Sequence, residues 1–237
     1  MDELKHTVVI VGAGPTGLAL GAELKRLGIP SLILDRLEAG ANTSRAAVVH
    51  ARTLEVLEPL GVTPELLQEG IVVSIFRVRD RNRILTSVSF KDLDTKYPFA
   101  LMCPQNRTEA VLLRRLQSLG GVVQRPCDVV TVRPCENDVE VQFKSGQELK
   151  TVCTQWLVGC DGMHSVVREQ GSIPFLGGNY EESFVLADVE MDWPLDREEV
   201  SLFFSDKGLV VVALPGNNFR IVATMKDAPP EPSIADL

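Results

Sequence analysis

TVVIVGAGPTGLALGAELKRLGIPSLILD, residues Thr7–Asp35, is the stretch that decides the fold class. An apolar β-branched run, Val8-Val9-Ile10-Val11, stops at Gly12-Ala13-Gly14. Pro15 follows at the first expected helical position, where its missing N–H costs nothing and its φ is already helical. A helix then carries Gly17, and a second apolar run, Leu32-Ile33-Leu34, closes on Asp35. Strand, glycine turn, helix, strand and acid is the order of a dinucleotide cradle, and each part has a physical task in one. Gly12 permits the tight turn, Gly14 lets the backbone approach a pyrophosphate, and Gly17 lets the helix pack close to the strand. The helix N-terminus points N–H groups and a partial positive charge at the phosphates. Asp35 comes 18 residues after Gly17, near the roughly 20 expected of an acid that accepts hydrogen bonds from ribose hydroxyls. An ordinary glycine turn is the competing reading, and the agreement of strand, helix and acid weighs against it.

Composition narrows the function classes. A chain of 237 residues, 45% hydrophobic and 24% charged, is ordinary globular material with enough length for a real core. Its 24 Lys and Arg against 32 Asp and Glu leave a formal net charge of −8, which argues against nonspecific nucleic-acid binding. Five cysteines without a C-x-x-C pattern fit buried free thiols in a reducing compartment. His6, His50 and His164 stand far apart without ligand spacing, so no metal site is expected. The N-terminal residues are too polar for a signal peptide, and no apolar run reaches the roughly 18 residues of a membrane span. The expectation is a soluble cytoplasmic protein; a homo-oligomeric state is compatible with the sequence.

Beyond Asp35 a polar link leads to Ser44-Arg45. A helix is expected from Ala51 through Leu54, Leu57 and Leu60, kinked or unwinding at Pro59, with a second short helix from Pro64 to Gly70. Val72–Val78 and Arg83–Phe90 read as strands, with a third in Tyr97–Cys103. A helix starting at Gln105 shows Leu112, Leu116 and Leu119 on one face and stops at Gly120-Gly121. Cys127–Arg133, Val139–Phe143 and Leu149–Cys153 read as a small antiparallel meander, followed by a separate apolar strand, Trp156-Leu157-Val158-Gly159. Further strands are expected at Glu182–Met191, Val200–Ser205, Leu209–Leu214 and Arg220–Met225, with turns at Asp206-Lys207-Gly208 and 215–218, before a proline-rich link at Asp227–Pro232.

A second informative segment is Gly159-Cys160-Asp161-Gly162-Met163-His164-Ser165-Val166-Val167-Arg168, in which a strand ends and a short helix begins. Turn chemistry alone also explains Asp161 and Gly162. In combination, the motifs resemble a known family. Gly12-Ala13-Gly14-Pro15-Thr16-Gly17, Asp35-Arg36, Ser44-Arg45-Ala46, His50-Ala51-Arg52-Thr53-Leu54-Glu55, Pro104-Gln105, and Gly159-Cys160-Asp161-Gly162 with Ser165 and Arg168 are similar to the N-terminal part of class A flavoprotein monooxygenases, the para-hydroxybenzoate hydroxylase family. The likeness is greatest to its phenol and polyketide aromatic hydroxylase branch, and Ser205–Gly208 with Leu214-Pro215-Gly216 resembles that branch's substrate-domain strands.

The resemblance implies an α/β architecture: a Rossmann-like FAD-binding domain interleaved with an antiparallel β-sheet substrate domain that is incomplete at the C-terminus. The FAD-binding domain would take residues 1–70 and 105–172, and the substrate domain 71–104 and 173–237. FAD would place its ADP half on Gly12, Gly14, Pro15, Thr16 and Gly17, with Asp35 and Arg36 at the adenosine ribose. Arg45 and Gln105 would approach the pyrophosphate and ribityl region, and the backbone around Val129 the adenine. Asp161-Gly162 resembles the family's second fingerprint, associated with both FAD and the nicotinamide cofactor. The implied activity is hydroxylation of a small phenolic or polyketide-like aromatic substrate through a flavin hydroperoxide, with NAD(P)H as transient reductant. The chemistry then belongs to the cofactor, and no hydrolytic Ser/His/Asp or Cys/His set is visible in the sequence. No catalytic residue is assigned. The family's downstream Gly-Asp motif, which wraps the ribityl and isoalloxazine part of FAD, does not occur in these 237 residues. The chain is therefore expected to be the N-terminal part of such an enzyme. A noncatalytic truncated flavin- or nucleotide-binding module acting with a partner is the alternative.

Overall fold

The computed structural model describes residues 6–40, 46–178, 183–204 and 209–225. Arg45, the turn at 205–208 and the proline-rich link at 227–232 lie outside the described residues. The chain divides into two compact units, one of residues 1–44 with 105–176 and the other of 45–104 with 177–237. The described residues 46–70 thus fall in the second unit.

The first unit is built on the opening stretch. β1 (His6–Val11), α1 (Pro15–Arg26) and β2 (Ser31–Leu34) follow one another as the glycine and proline signals require. β2 pairs in parallel with β1. α1 buries Gly17, Leu18, Gly21 and Ala22 as one stripe. A Cβ at Gly21 would collide with Ile33 and come within 3.5 Å of Leu116, so this helix lies close upon its own sheet and beside the later helix that carries Leu116. The opposite face of β1 and β2 contributes Val9, Val11, Leu32 and Leu34 to a core shared with Val129, Val141, Phe143 and Val152.

Numbered in chain order, β3 is Val48–Val49, β4 Ile71–Val73, β5 Ile75–Asp80, β6 Arg83–Ser89 and β7 Ala100–Met102. The return to the first unit comprises α4 (Gln105–Ser118), β8 (Val123–Gln124), β9 (Asp128–Pro134), β10 (Val139–Ser145) and β11 (Glu148–Gly159). The six strands run in the order β8-β2-β1-β11-β10-β9.

Here the structure corrects the sequence reading. The strands expected separately at 149–153 and 156–159 are one twelve-residue strand, β11. Its first half pairs antiparallel with β10, and its second half pairs in parallel with β1. Thr154, between the two expected runs, is a ladder residue, opposite Val139 on one side and His6 on the other. A strand that changes partner halfway needs no break in its backbone. At the sheet's outer edge, β9 carries a bulge between its pairings at Thr131 and Val129. The side-chain amide of Gln170, from α5 (Val166–Gln170), donates to Val130 O at 2.9 Å and accepts from Val132 N–H at 2.8 Å, so it pairs like a short strand.

In the second unit, α2 (Ala51–Leu57) gives way at Glu58–Leu60 to a 3₁₀ turn containing Pro59, and α3 (Thr63–Glu69) follows. β3, β7 and β4 form a three-stranded sheet. A six-stranded sheet joins β5 and β6 to β12 (Ser183–Glu190), β13 (Glu199–Phe203), β14 (Leu209–Leu214) and β15 (Asn218–Met225), in the order β12-β15-β14-β13-β5-β6. It is antiparallel except where β13 meets β5 in parallel, the seam between the unit's two stretches of chain. Val73, Ala100, Met102, Val200 and Val212 form one buried cluster of this unit, and Val211, Ala213 and Phe219 form a second against Trp193 and Phe203. No helix among the described residues is long and apolar enough to cross a membrane.

Candidate functional site

The glycine loop is pinned by the strand ends around it. Gly12 N–H donates to Leu34 O at 2.8 Å, and Cys160 N–H donates to Val11 O at 2.7 Å. Gly12 has φ +97°, and a Cβ there would overlap the Cys160 carbonyl and stand 2.8 Å from Asp161 N. A Cβ at Gly17 would overlap the Gly12 carbonyl oxygen and reach within 3.3 Å of the Cys160 Cβ. Both glycines therefore serve the chain's own packing and lock the opening loop to the Gly159–Gly162 segment.

Gly14 differs. Its φ of −72° and ψ of −175° suit any L residue, and a Cβ there would meet nothing within 4 Å. Neither backbone geometry nor internal packing requires glycine at this position; something approaching from outside would. Gly14 is also the N-cap of α1, with no side-chain cap, Pro15 in the first turn and no acidic residue there. The end of the helix dipole thus carries no counter-charge from its own first turn, as an anion site requires. Thr16 is exposed and Pro15 half-buried beside it.

Asp35 is buried, and its carboxylate is already engaged. Ala13 N–H donates to Oδ2 at 2.6 Å and Leu37 N–H to Oδ1 at 2.9 Å. A carboxylate offers about four lone-pair sites, so capacity for ribose hydroxyls remains. Arg36 is exposed. Gln105, half-buried at the start of α4, donates from Nε2 to Glu109 Oε1 at 2.8 Å. The Val129 side chain is buried in the core, and Val129 pairs with Phe143 of β10.

Asp161 works within its own turn. Its Oδ1 accepts from Ser165 Oγ at 2.6 Å and its Oδ2 from Val167 N–H at 3.3 Å, while Ser165 Oγ caps α5 by accepting from Arg168 N–H at 3.0 Å. Gly162 has φ +83° and lies exposed. Burial, and secondarily the negative Asp161, pushes the Cys160 thiol above its ordinary range, so at neutral pH it is an uncharged packing group.

Two residues near these were not anticipated. Arg125 places Nη2 3.3 Å from Ala13 O and Nε 3.6 Å from Asp35 Oδ1. Its position follows from the two-residue strand β8, which pairs with β2 and leaves residue 125 beside Asp35. Glu109 is buried on α4, one turn after Gln105 and on the stripe shared with Leu112 and Leu116; an acid within an apolar stripe was the available signal.

In the second unit, Phe203 and Leu214 pack in or against the core while Phe204 is exposed. His50, Phe90, Leu93, Phe99 and Ala100 line an apolar recess of about 140 Å³. Arg220 makes a two-pronged pair with Asp188, at 2.7 and 2.8 Å.

Comparison with known proteins fits this geometry. The chain is 36% identical over 207 residues to the 6-methylpretetramide 4-monooxygenase of Streptomyces rimosus, covering 86% of this chain and 37% of that protein. It is 31% identical over 222 residues to the pentachlorophenol 4-monooxygenase of Sphingobium chlorophenolicum, covering 91% and 41%. It therefore spans less than half the length of either relative. The p-nitrophenol 4-monooxygenase PnpA of Pseudomonas putida DLL-E4 shares the fold, with a TM-score of 0.89 at 21% identity over 98% of this chain and 60% of that one. The model of the FAD binding domain matches residues 5–233, and the chain belongs to that family, whose relatives here are flavin-dependent monooxygenases of aromatic compounds.

Proposed function

We propose that this chain supplies the ADP-binding half of the FAD site of a monooxygenase that hydroxylates an aromatic ring, phenolic or polyketide-like. Gly14 carries the reading, since it is the one loop glycine whose lack of a side chain serves nothing inside the chain. The loop from Gly12 to Gly17 and the N-terminus of α1 hold the pyrophosphate. Asp35, with Arg36 next to it, would receive the adenosine ribose, the Val129 backbone the adenine, and Gln105 the pyrophosphate and ribityl chain; the same role is assigned to Arg45, which lies outside the described residues. Asp161-Gly162 shapes the turn against which the loop packs and serves both FAD and the nicotinamide cofactor. When bound, FAD would supply the redox chemistry of the hydroxylation, with NAD(P)H as transient reductant and O₂ as the source of the OH group. The chain's own residues bind and orient it.

Residues 71–104 and 173–237 form the substrate domain in this reading, and the protein acts in the cytoplasm on a small aromatic molecule, with no nucleic acid or membrane as partner. The names of the relatives, one a 6-methylpretetramide and one a pentachlorophenol monooxygenase, support a phenolic or polyketide-like aromatic ring as substrate. The purified protein is expected to show visible flavin absorbance. A hundredfold excess of FAD over its dissociation constant should stabilise it by about 2.7 kcal/mol, and phenolic or polyketide compounds should accelerate NAD(P)H oxidation. A colourless protein whose melting is unmoved by FAD would refute the proposal. FAD binding without any substrate-stimulated oxidation would leave a noncatalytic flavin-binding module.

A further inference from the structure

The geometry points to Arg125 as a positioning residue for the adenylate half of the dinucleotide site, an inference that rests on the FAD reading above. Ala13 is the centre of the glycine loop, and both of its backbone polar groups are held by side chains from elsewhere. Its N–H donates to Asp35 Oδ2 at 2.6 Å, and its C=O accepts from Arg125 Nη2 at 3.3 Å. The carbonyl of Ala13 belongs to the same peptide plane as the N–H of Gly14. In a trans peptide those two groups point in opposite directions. Turning the carbonyl toward Arg125 therefore aims the Gly14 N–H the other way, and this is the glycine with open space where a Cβ would be. Arg125 thereby sets the orientation of the one loop amide best placed to meet a phosphate.

The charge on Arg125 matters as much as its hydrogen bond. Its Nε lies 3.6 Å from Asp35 Oδ1, the Arg125 and Asp35 side chains are 14% and 11% exposed, and that Nε has no hydrogen-bond partner among the described residues. A buried carboxylate beside a pyrophosphate would repel it; a guanidinium, charged at every accessible pH, offsets that repulsion. The placement is built into the sheet. Ile33 pairs with Val123 and Leu34 with Gln124, so the next residue on each strand, Asp35 and Arg125, arrives at the same edge. Cys127 N–H donates to Asp35 O at 2.7 Å and keeps the following segment there.

The test compares the purified chain with Arg125→Met and Arg125→Lys, titrated with FAD and with ADP by calorimetry at low and moderate salt, alongside thermal melts. Arg125→Met is expected to weaken both ligands by about 10- to 100-fold. Arg125→Lys, which keeps the charge but loses the planar fork, should recover part of that and remain roughly 3- to 10-fold weaker than the parent. The loss should be larger at low salt, where uncompensated Asp35 repels phosphate most strongly; a purely structural role would not produce this salt dependence or the lysine rescue. If Arg125→Met does not fold, the lysine variant decides. Parent protein that binds neither FAD nor ADP overturns the FAD reading itself. Parent protein that binds both, with the folded variants within twofold of it, overturns the role of Arg125 alone.

Discussion

Alanine at position 17 is expected to destabilise the protein by about 3 kcal/mol or more, with a fall in melting temperature of roughly 6–12 °C. In an ordinary helix interior the same change would stabilise by about 1 kcal/mol, because glycine loses more backbone entropy than alanine. The opposite sign follows from what the new methyl would strike. It would overlap the Gly12 carbonyl oxygen and approach the Cys160 Cβ to 3.3 Å. The carbonyl is backbone in a turn held on both sides, by Gly12 N–H to Leu34 O and by Cys160 N–H to Val11 O. Nothing there can swing aside as the end of a flexible side chain would. The only relief is to lift α1 off β1, at the cost of the stripe of Gly17, Leu18, Gly21 and Ala22. Thermal unfolding of Gly17→Ala checks this; an unchanged or raised melting temperature would show that the helix is not seated on the loop as described.

Glu199→Gln should cost about 3–5 kcal/mol, the range for removing one partner of a buried ion pair. Glu199 sits on β13 at the parallel seam with β5, almost wholly buried. Its Oε1 lies 2.6 Å from Arg79 Nη2 and accepts from Ser201 Oγ at 2.8 Å, and its Oε2 lies 3.0 Å from Arg77 Nε without hydrogen-bond alignment. One carboxylate therefore faces two guanidiniums, and Arg79 is buried with it. A neutral amide keeps the shape and leaves those cations uncompensated. The double replacement of Glu199 and Arg79 by Met removes both members of the tightest pair and is expected to recover much of the loss, since well-packed apolar groups often substitute for a buried pair. Denaturant titration of the parent and the two variants measures it. A loss below about 1 kcal/mol in Glu199→Gln would mean that the pair is solvated.

The residues that could be read from sequence are those whose signal is local. The β1–loop–α1–β2 unit announces itself because β-branched runs, Pro15, the loop glycines and Asp35 each act within a few residues of one another. The unwinding at Pro59 was visible for the same reason. What sequence hid was decided by partners far along the chain. β11 looked like two strands because its continuity depends on exchanging β10 for β1 at Thr154. β3 and β8 are two residues each, too short for any periodicity. The parallel seam between β5 and β13 joins residues more than a hundred positions apart. Arg125 was missed because only the β2–β8 register brings it to Asp35. Asp161 shows the converse: turn chemistry and a ligand motif give the same local pattern, and its contacts with Ser165 and Val167 are those of a turn.

In the proposed function three glycines divide the labour: Gly12 and Gly17 serve the fold, and Gly14 serves a dinucleotide. Calorimetric titration of Gly14→Val with FAD and ADP, beside a thermal melt, tests this most directly. Valine fits the extended backbone at 14 and its Cβ would meet nothing within 4 Å, so stability should change by no more than about 1 kcal/mol, the scale of an N-cap preference. Affinity for both ligands should fall by about 100-fold, roughly 2.7 kcal/mol, because the side chain occupies the approach to the loop amides. A variant that melts like the parent and binds FAD and ADP as tightly would contradict the central claim.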